Sequence, residues 1–443
     1  MGCRVYSKFL RSLQNYEFTS GNLNSNSSAP LNFLAIPQFL LRILFIIFPM
    51  VNFFSIVLLG CNKFRRNREH GSSFKNLVIT VSSKDIYFGG RFYNFRNFTY
   101  LHINRRVELG VRLSIYRFLT LSDLIIYFII VPFILTWELL KSLKVFSCQI
   151  SIREKFKFLY EVSAELSSGQ FMIGRLIDRS LSNIFRGNDI RNIVLPFEGR
   201  NWEKRAFALA EKNSINSIGI IHSAITSCHK SVYDYHAISK HHSPSFVLTP
   251  GRYFTNSLIL HGWPEEKVVS SCYLRGVERI EFSDSKKRLI FSLTGNFYSS
   301  AVILRRISLI DDRNNLILIA LNRRASSYRK LYKLAIRLGL RIWDNNLSAN
   351  SVVLTSSTSH FLEQLHKGIK SLPFHAPVFD CKPGFDLIED PIRRLTLSVD
   401  DISSLDSFSI YELVSSSTYK LDPSEFFDLS SDFSSTINGL LVT

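Results

Sequence analysis

The chain has 443 residues, 46% hydrophobic and 20% charged, which is long and apolar enough for two or three cored domains and excludes a disordered chain. Its net charge of +18 is unevenly spread: His375 to Thr443 holds 12 acidic and 4 basic residues (−8), leaving 50 basic and 24 acidic residues (+26) elsewhere. Six scattered cysteines with no CxxC pair exclude a zinc ribbon, a dithiol motif and a disulfide scaffold, and fit a reducing compartment.

A basic body with an acidic tail suits an anionic partner: nucleic acid, anionic lipid or a phosphorylated substrate. Charge alone does not choose among these, nor between them and a merely solvated surface. No recognised nucleic-acid-binding motif is present, so nucleic acid is not expected as a partner.

Residues 1–30 are polar and rich in Ser and Asn. Met1-Gly2-Cys3 begins like a myristoylation site, but Tyr6 stands where Ser or Thr is needed. Residues 43–61, ILFIIFPMVNFFSIVLLGC, carry no charge and have the length of a membrane span, though Pro49 and Asn52 also suit a buried helix. Basic residues flank both sides, so no orientation follows. The run starts too late for a signal peptide. A second apolar run, Leu124 to Trp137, contains Pro132 and reads as a helix on the membrane or against the first run.

NLVITVSS (76–83) and FTYLHI (98–103) read as strands, residues 117–146 as helix, and residues 151–186 as one or two amphipathic helices. From there the alternation is regular. NIVLPFE (192–198), SIGIIHS (217–223) and SFVLTPG (245–251) are strands, and WEKRAFALAEKN (202–213) and RYFTNSLILHG are helices. After the charged SDSKKR (283–288) the alternation restarts. RLIFSLTGN (288–296), NLILIALN (315–322), SVVLTSSTS (351–359) and KSLPFHA (370–376) are strands, with LRIW (340–343) a short one. SSAVILRRISLI, ASSYRKLYKLAIRLG (325–339) and HFLEQLHKG (360–368) are helices. Apolar runs between amphipathic helices predict parallel sheets covered on both faces. The expected fold is α/β, with two Rossmann-like doubly wound domains behind an N-terminal apolar, membrane-associated segment. The divisions are 1–70 (polar start and apolar segment), 71–280 (first Rossmann-like domain), 281–395 (second) and 396–443 (acidic Ser/Asp-rich tail).

Ligands of open α/β sheets bind beyond the carboxyl ends of strands, and three such ends carry chemistry. Glu198, before Gly199, can take a proton as general base or can complement the dipole of the next helix. Trp202 reads as a packing residue, and Glu203 and Lys204 as a solvated helix face. His222 can bind a phosphate or sugar or assist proton transfer; a lone His there is also often structural. His229, His236, His241 and His242 match no metal-ligand spacing, so no metal is expected. Thr355 to Ser359 places five hydroxyls in a row at a helix start, where they can hold a phosphate or cap the helix. Gly295 and Asn296 end the first strand of the second half, where the backbone could approach a donor. Neither a Walker A sequence nor a GxGxxG fingerprint occurs.

PFEGRNWEKRAFA (196–208) followed by GIIHS (219–223) resembles bacterial surface-carbohydrate biosynthesis proteins of the GT-B glycosyltransferase type. VVLTSSTSHFLEQLHKGIKSLPF (352–374) resembles the serine-pair segment of sialyltransferase-like and Kdo-transferase-like enzymes. The resemblance implies transfer of a sugar from a nucleotide-activated donor, with a CMP-linked keto-sugar favoured, to a surface-polysaccharide or lipid-linked glycan. Glu198 would be the base, and His222 is the second catalytic candidate. Ser356, Ser357 and Thr358 would hold the donor phosphate, with Gly295 and Asn296 in the donor site and no metal or other cofactor. It also implies the cytoplasmic face of the bacterial inner membrane, through peripheral or single-anchor attachment to anionic lipid. Such enzymes often carry a His-Pro pair after the second strand of the C-terminal half. Here Arg323 and Arg324 stand there instead; they could pair with phosphate. The departure keeps open a catalytically silent protein that binds a nucleotide-sugar or glycan.

Overall fold

The structure is a computed structural model that describes residues 75–80, 98–102, 113–114, 119, 122–123, 170–222, 224, 232, 235, 242–273, 284–293, 297–312, 315–323, 328–343, 347–356, 358–375, 397–398, 402, 404–417 and 422–441. The apolar runs 43–61 and 124–137 lie outside them. Among the described residues no helix is long and apolar enough to cross a membrane.

Among the described residues, twelve strands form two wholly parallel sheets. The first is ordered β3-β2-β1-β4-β5-β6-β7. It contains β1 (Asn76–Thr80), β2 (Phe98–His102), β3 (Leu113–Ser114), β4 (Asn192–Pro196), β5 (Asn216–Ile220), β6 (Phe246–Thr249) and β7 (Val268–Ser270). The second is ordered β12-β11-β10-β8-β9, from β8 (Arg288–Ser292), β9 (Ile317–Ala320), β10 (Ser351–Thr355), β11 (Ser371–His375) and β12 (Leu397–Ser398). The segment LRIW contributes one parallel bridge, Ile342 to Ile319, outside β9.

Side chains alternate across the first sheet because strand residues point to opposite faces. Leu77, Ile79, Ile193 and Leu195 enter one core with α1 (Gln170–Gly187), α2 (Asn201–Lys212) and α3 (Arg252–Leu260). Val78, Val194, Ile218 and Leu248 enter another. In the second sheet α4 (Phe297–Ile307) and α5 (Tyr328–Arg337) cover one face. α6 (Thr358–His366) follows β10 and ends at Gly368, whose φ of +73° suits the left-handed residue that closes a helix. Its Phe361 and Leu362 lodge in the first sheet's core, so this helix is shared by both halves.

Register in the first sheet is fixed partly by polar groups. Asn76, Asn192 and Asn216 pair across three strands; Asn192 Nδ2 donates to Asn76 Oδ1 and Asn216 Nδ2 to Asn192 Oδ1, each at 2.8 Å. A one-residue slip would break this ladder and turn every apolar side chain to the wrong face.

The acidic tail is built into both halves. α7 (Ser407–Ser416) packs on the second sheet, placing Ile410, Tyr411 and Val414 in its core. The chain then returns to the first sheet. α8 (Pro423–Phe426) lies against α3 and α6, and α9 (Phe433–Leu440) adds Phe433 and Ile437 to the core on the first sheet's other face. Asp406, Asp422 and Asp432 are the N-caps of these three helices; Asp406 and Asp432 each accept two backbone N–H groups of the first turn, and Asp422 accepts one.

Candidate functional site

Strand order defines where each sheet can hold a ligand. In the first sheet the chain runs outward from β1 to β3, then returns to β4 and runs the other way. Its switch point lies between β1 and β4. In the second it runs from β8 to β9, then returns to β10 and continues to β12, so that switch point lies between β8 and β10. Crevices at switch points are where open α/β sheets bind ligands.

Glu198 follows β4 at the first switch point. β4 and β5 pair with Pro196 opposite Ile220, so the residues two further on, Glu198 and His222, leave the sheet side by side. His222 Nε2 lies 3.2 Å from Glu198 Oε1, with the His side chain 12% and the Glu side chain 29% exposed. The other carboxylate oxygen of Glu198 is ion-paired with Arg200. Gly199, at φ +76°, makes the turn between them. Arg200, not Glu198, holds the N-cap position of α2.

The side chain that closes this end of the helix is that of Glu203. This residue was expected on a solvated face, but it is fully buried, because it sits at the third position of α2 and turns back under the loop. Its Oε2 accepts from the backbone N–H of Glu198 at 2.8 Å and of Arg200 at 3.0 Å. Its Oε1 has no hydrogen-bond partner. Burial, followed by the nearby Glu198 charge, pushes its carboxyl up to about 8. Lys204, also expected in solvent, is half-buried, and burial pushes its ammonium down to about 8. Trp202 is buried and packs in the core, as its size predicts.

The second switch point holds a different set. Ser356, one residue past β10, donates through its backbone N–H to Ser292 O at 3.0 Å and through its hydroxyl to the same oxygen at 3.3 Å. Ser292 Oγ lies 2.7 Å from His360 Nδ1, and burial depresses the basicity of that imidazole. Thr358 is the first residue of α6, and Arg323 is exposed just beyond β9 at the same end of the sheet. Ser357, Arg324, Gly295 and Asn296 lie outside the described residues, as do His229, His236 and His241. Among the described residues no group of three His, Cys, Asp or Glu side chains is placed to hold a metal ion.

The structure thus brings Glu198 and His222 together, and sets Ser356 beside Ser292 and His360. Reading the sequence missed Arg200, Glu203, Ser292 and His360. The signals available were a Glu at helix position three and a polar residue closing an apolar strand. Together these features define a two-sheet parallel α/β protein with a carboxylate–imidazole pair at one switch point and a hydroxyl–imidazole pair at the other.

No family model matches the sequence, and no curated protein matches it. Solved structures with similar folds include UDP-GlcNAc 2-epimerase from Methanocaldococcus jannaschii in complex with UDP-GlcNAc and UDP. It has 11% identity and a TM-score of 0.47, over 80% of this chain and 96% of that one. Anabaena Alr3699/HepE in complex with UDP has 10% identity and a TM-score of 0.40, over 82% and 97%. The lipopolysaccharide outer core galactosyltransferase WaaB, in its apo form, has 9% identity and a TM-score of 0.37, over 82% and 98%. Likeness of this degree defines neither family nor activity for this chain.

Proposed function

We propose that this protein is a GT-B-like glycosyltransferase that moves a sugar from a nucleotide-activated donor to a hydroxyl of a surface-polysaccharide or lipid-linked glycan. The observation that carries the reading is the Glu198–His222 pair at the switch point of the first sheet. A part-exposed carboxylate held by an imidazole and a guanidinium suits proton abstraction from an acceptor hydroxyl. In the step proposed, the acceptor oxygen bonds to the anomeric carbon and its proton passes to Glu198. The bond from that carbon to the donor phosphate breaks, and the nucleotide leaves with the electron pair.

The second switch point is the proposed donor site. Ser356, Ser357 and Thr358, at the start of α6, would meet the phosphate with hydroxyl and N–H groups, and His360 adds an imidazole beside them. Arg323 and Arg324 would supply positive charge, and Gly295 and Asn296 would border the nucleotide. Protein groups alone would neutralise the leaving phosphate, without a metal. A CMP-linked keto-sugar is the favoured donor, and the cytoplasmic face of the bacterial inner membrane the favoured location.

Thermal shift of the purified chain against CMP, UDP, GDP and their sugars tests donor binding, because a ligand that binds only the folded state raises its melting temperature. Glu198→Gln should abolish transfer and leave that shift intact. Transfer at a near-normal rate in this variant would remove Glu198 as the base. A shift without any transfer by the native protein would favour a silent binding protein, a reading suited to a Glu198 whose two oxygens both already have partners.

A further inference from the structure

The outer face of α5 has a composition that the proposed sites do not use. Its ten residues, YRKLYKLAIR, include no acid. Leu331 and Ala335 are buried against the sheet. On the opposite side Arg329, Tyr332, Lys333 and Ile336 follow the i, i+3, i+4, i+7 spacing of one helix face, and all are exposed. Tyr332 is 41% and Ile336 51% exposed. Neighbouring α4, also without an acid, ends in exposed Arg305 and Arg306, and Leu309 just beyond is 71% exposed.

We propose that α5, with the end of α4, is a docking surface for an anionic lipid bilayer. Cations flanking an aromatic and aliphatic pair are the make-up of a helix that lies in a membrane interface, with its apolar side chains at the acyl boundary and its charges among the phosphates. A second copy presenting the same face would set cation against cation. Nucleic acid would satisfy the cations but leave Ile336 and Leu309 in water. This docking does not depend on sugar transfer and rests on the second half alone.

The test uses the full chain and vesicles of phosphatidylcholine, with or without phosphatidylglycerol, carrying brominated acyl chains. Tyr332→Trp should add emission, relative to the native chain, that is quenched only by the anionic vesicles, since an interfacial helix buries its apolar face about 5–10 Å deep. Arg329→Gln and Lys333→Gln combined should weaken binding to anionic vesicles about tenfold and flatten its salt dependence, with melting temperature unchanged. Absence of the added, quenched emission overturns the proposal, whatever binding other segments contribute. Duplex DNA that binds this face as tightly in Tyr332→Ser, Ile336→Ser protein as in native protein also overturns it.

Discussion

His222 Nε2 stands 3.2 Å from Glu198 Oε1 because two adjacent parallel strands end in register, with Pro196 opposite Ile220. The two residues are distant in sequence but are brought together by backbone pairing, so the sheet itself positions the contact. His222→Gln should keep the fold and nucleotide affinity while lowering the rate of transfer about tenfold to a hundredfold. Turnover and donor affinity measured on the same preparation check this; an unchanged rate would leave His222 a structural neighbour only.

Glu203 makes stability depend on pH. Its folded-state value, raised to about 8, lies above the ordinary 4.5, so the folded protein holds a proton that the unfolded chain releases. Stability from this group is complete below about 4.5 and falls as pH rises towards 8, by at most about 1.4 kcal/mol per pH unit. Glu203→Gln removes the ionisation, so its melting temperature relative to the native protein should rise between pH 5 and pH 8. Parallel curves over that range would show that Glu203 ionises normally in the fold.

Gly251 is required by close approach. A Cβ there would lie 2.3 Å from Phe426 O, and the neighbouring Asp428 N–H donates to Pro250 O at 2.7 Å. Gly251→Ala should cost about 1–3 kcal/mol through overpacking and loosen the returning tail. Limited proteolysis should then cut near residues 418–430 sooner than in the native chain. Equal cleavage rates would mean that the tail shifts to accept the methyl group.

Ser356→Ala combined with Ser357→Ala should weaken nucleotide binding about tenfold, the worth of one hydrogen bond to a charged group. Titration calorimetry with the nucleotide selected by thermal shift measures it. Unchanged affinity would assign these hydroxyls to the helix cap and to the bond that Ser356 already makes to Ser292.

The alternation of strands and helices was legible because β4, β8 and β10 are continuous apolar runs. The strand-end positions of Glu198 and His222 could be read in the same way, one strand at a time. Their contact could not, since it needs the pairing of β4 with β5, and the switch points need the whole strand order. Glu203 was misread because a Glu-Lys pair at a helix start is usually solvated; the deciding fact is its position three residues after the cap at Arg200. In the tail, Asp406, Asp422 and Asp432 each stand before a short helix and carried a capping signal that the Ser/Asp-rich composition obscured. The short strands β3, β7 and β12 have too few residues to show a period of their own.

Because α9 supplies Phe433 and Ile437 to the core around Val78 and Val194, one face of the first sheet is packed in part by residues that follow the entire second half. Among the described residues, Val78 and Val194 therefore meet Phe433 and Ile437 only after the second half has been made. The last residues of the chain are thus part of the core of the first sheet, and removing them takes Phe433 and Ile437 from beside Val78 and Val194.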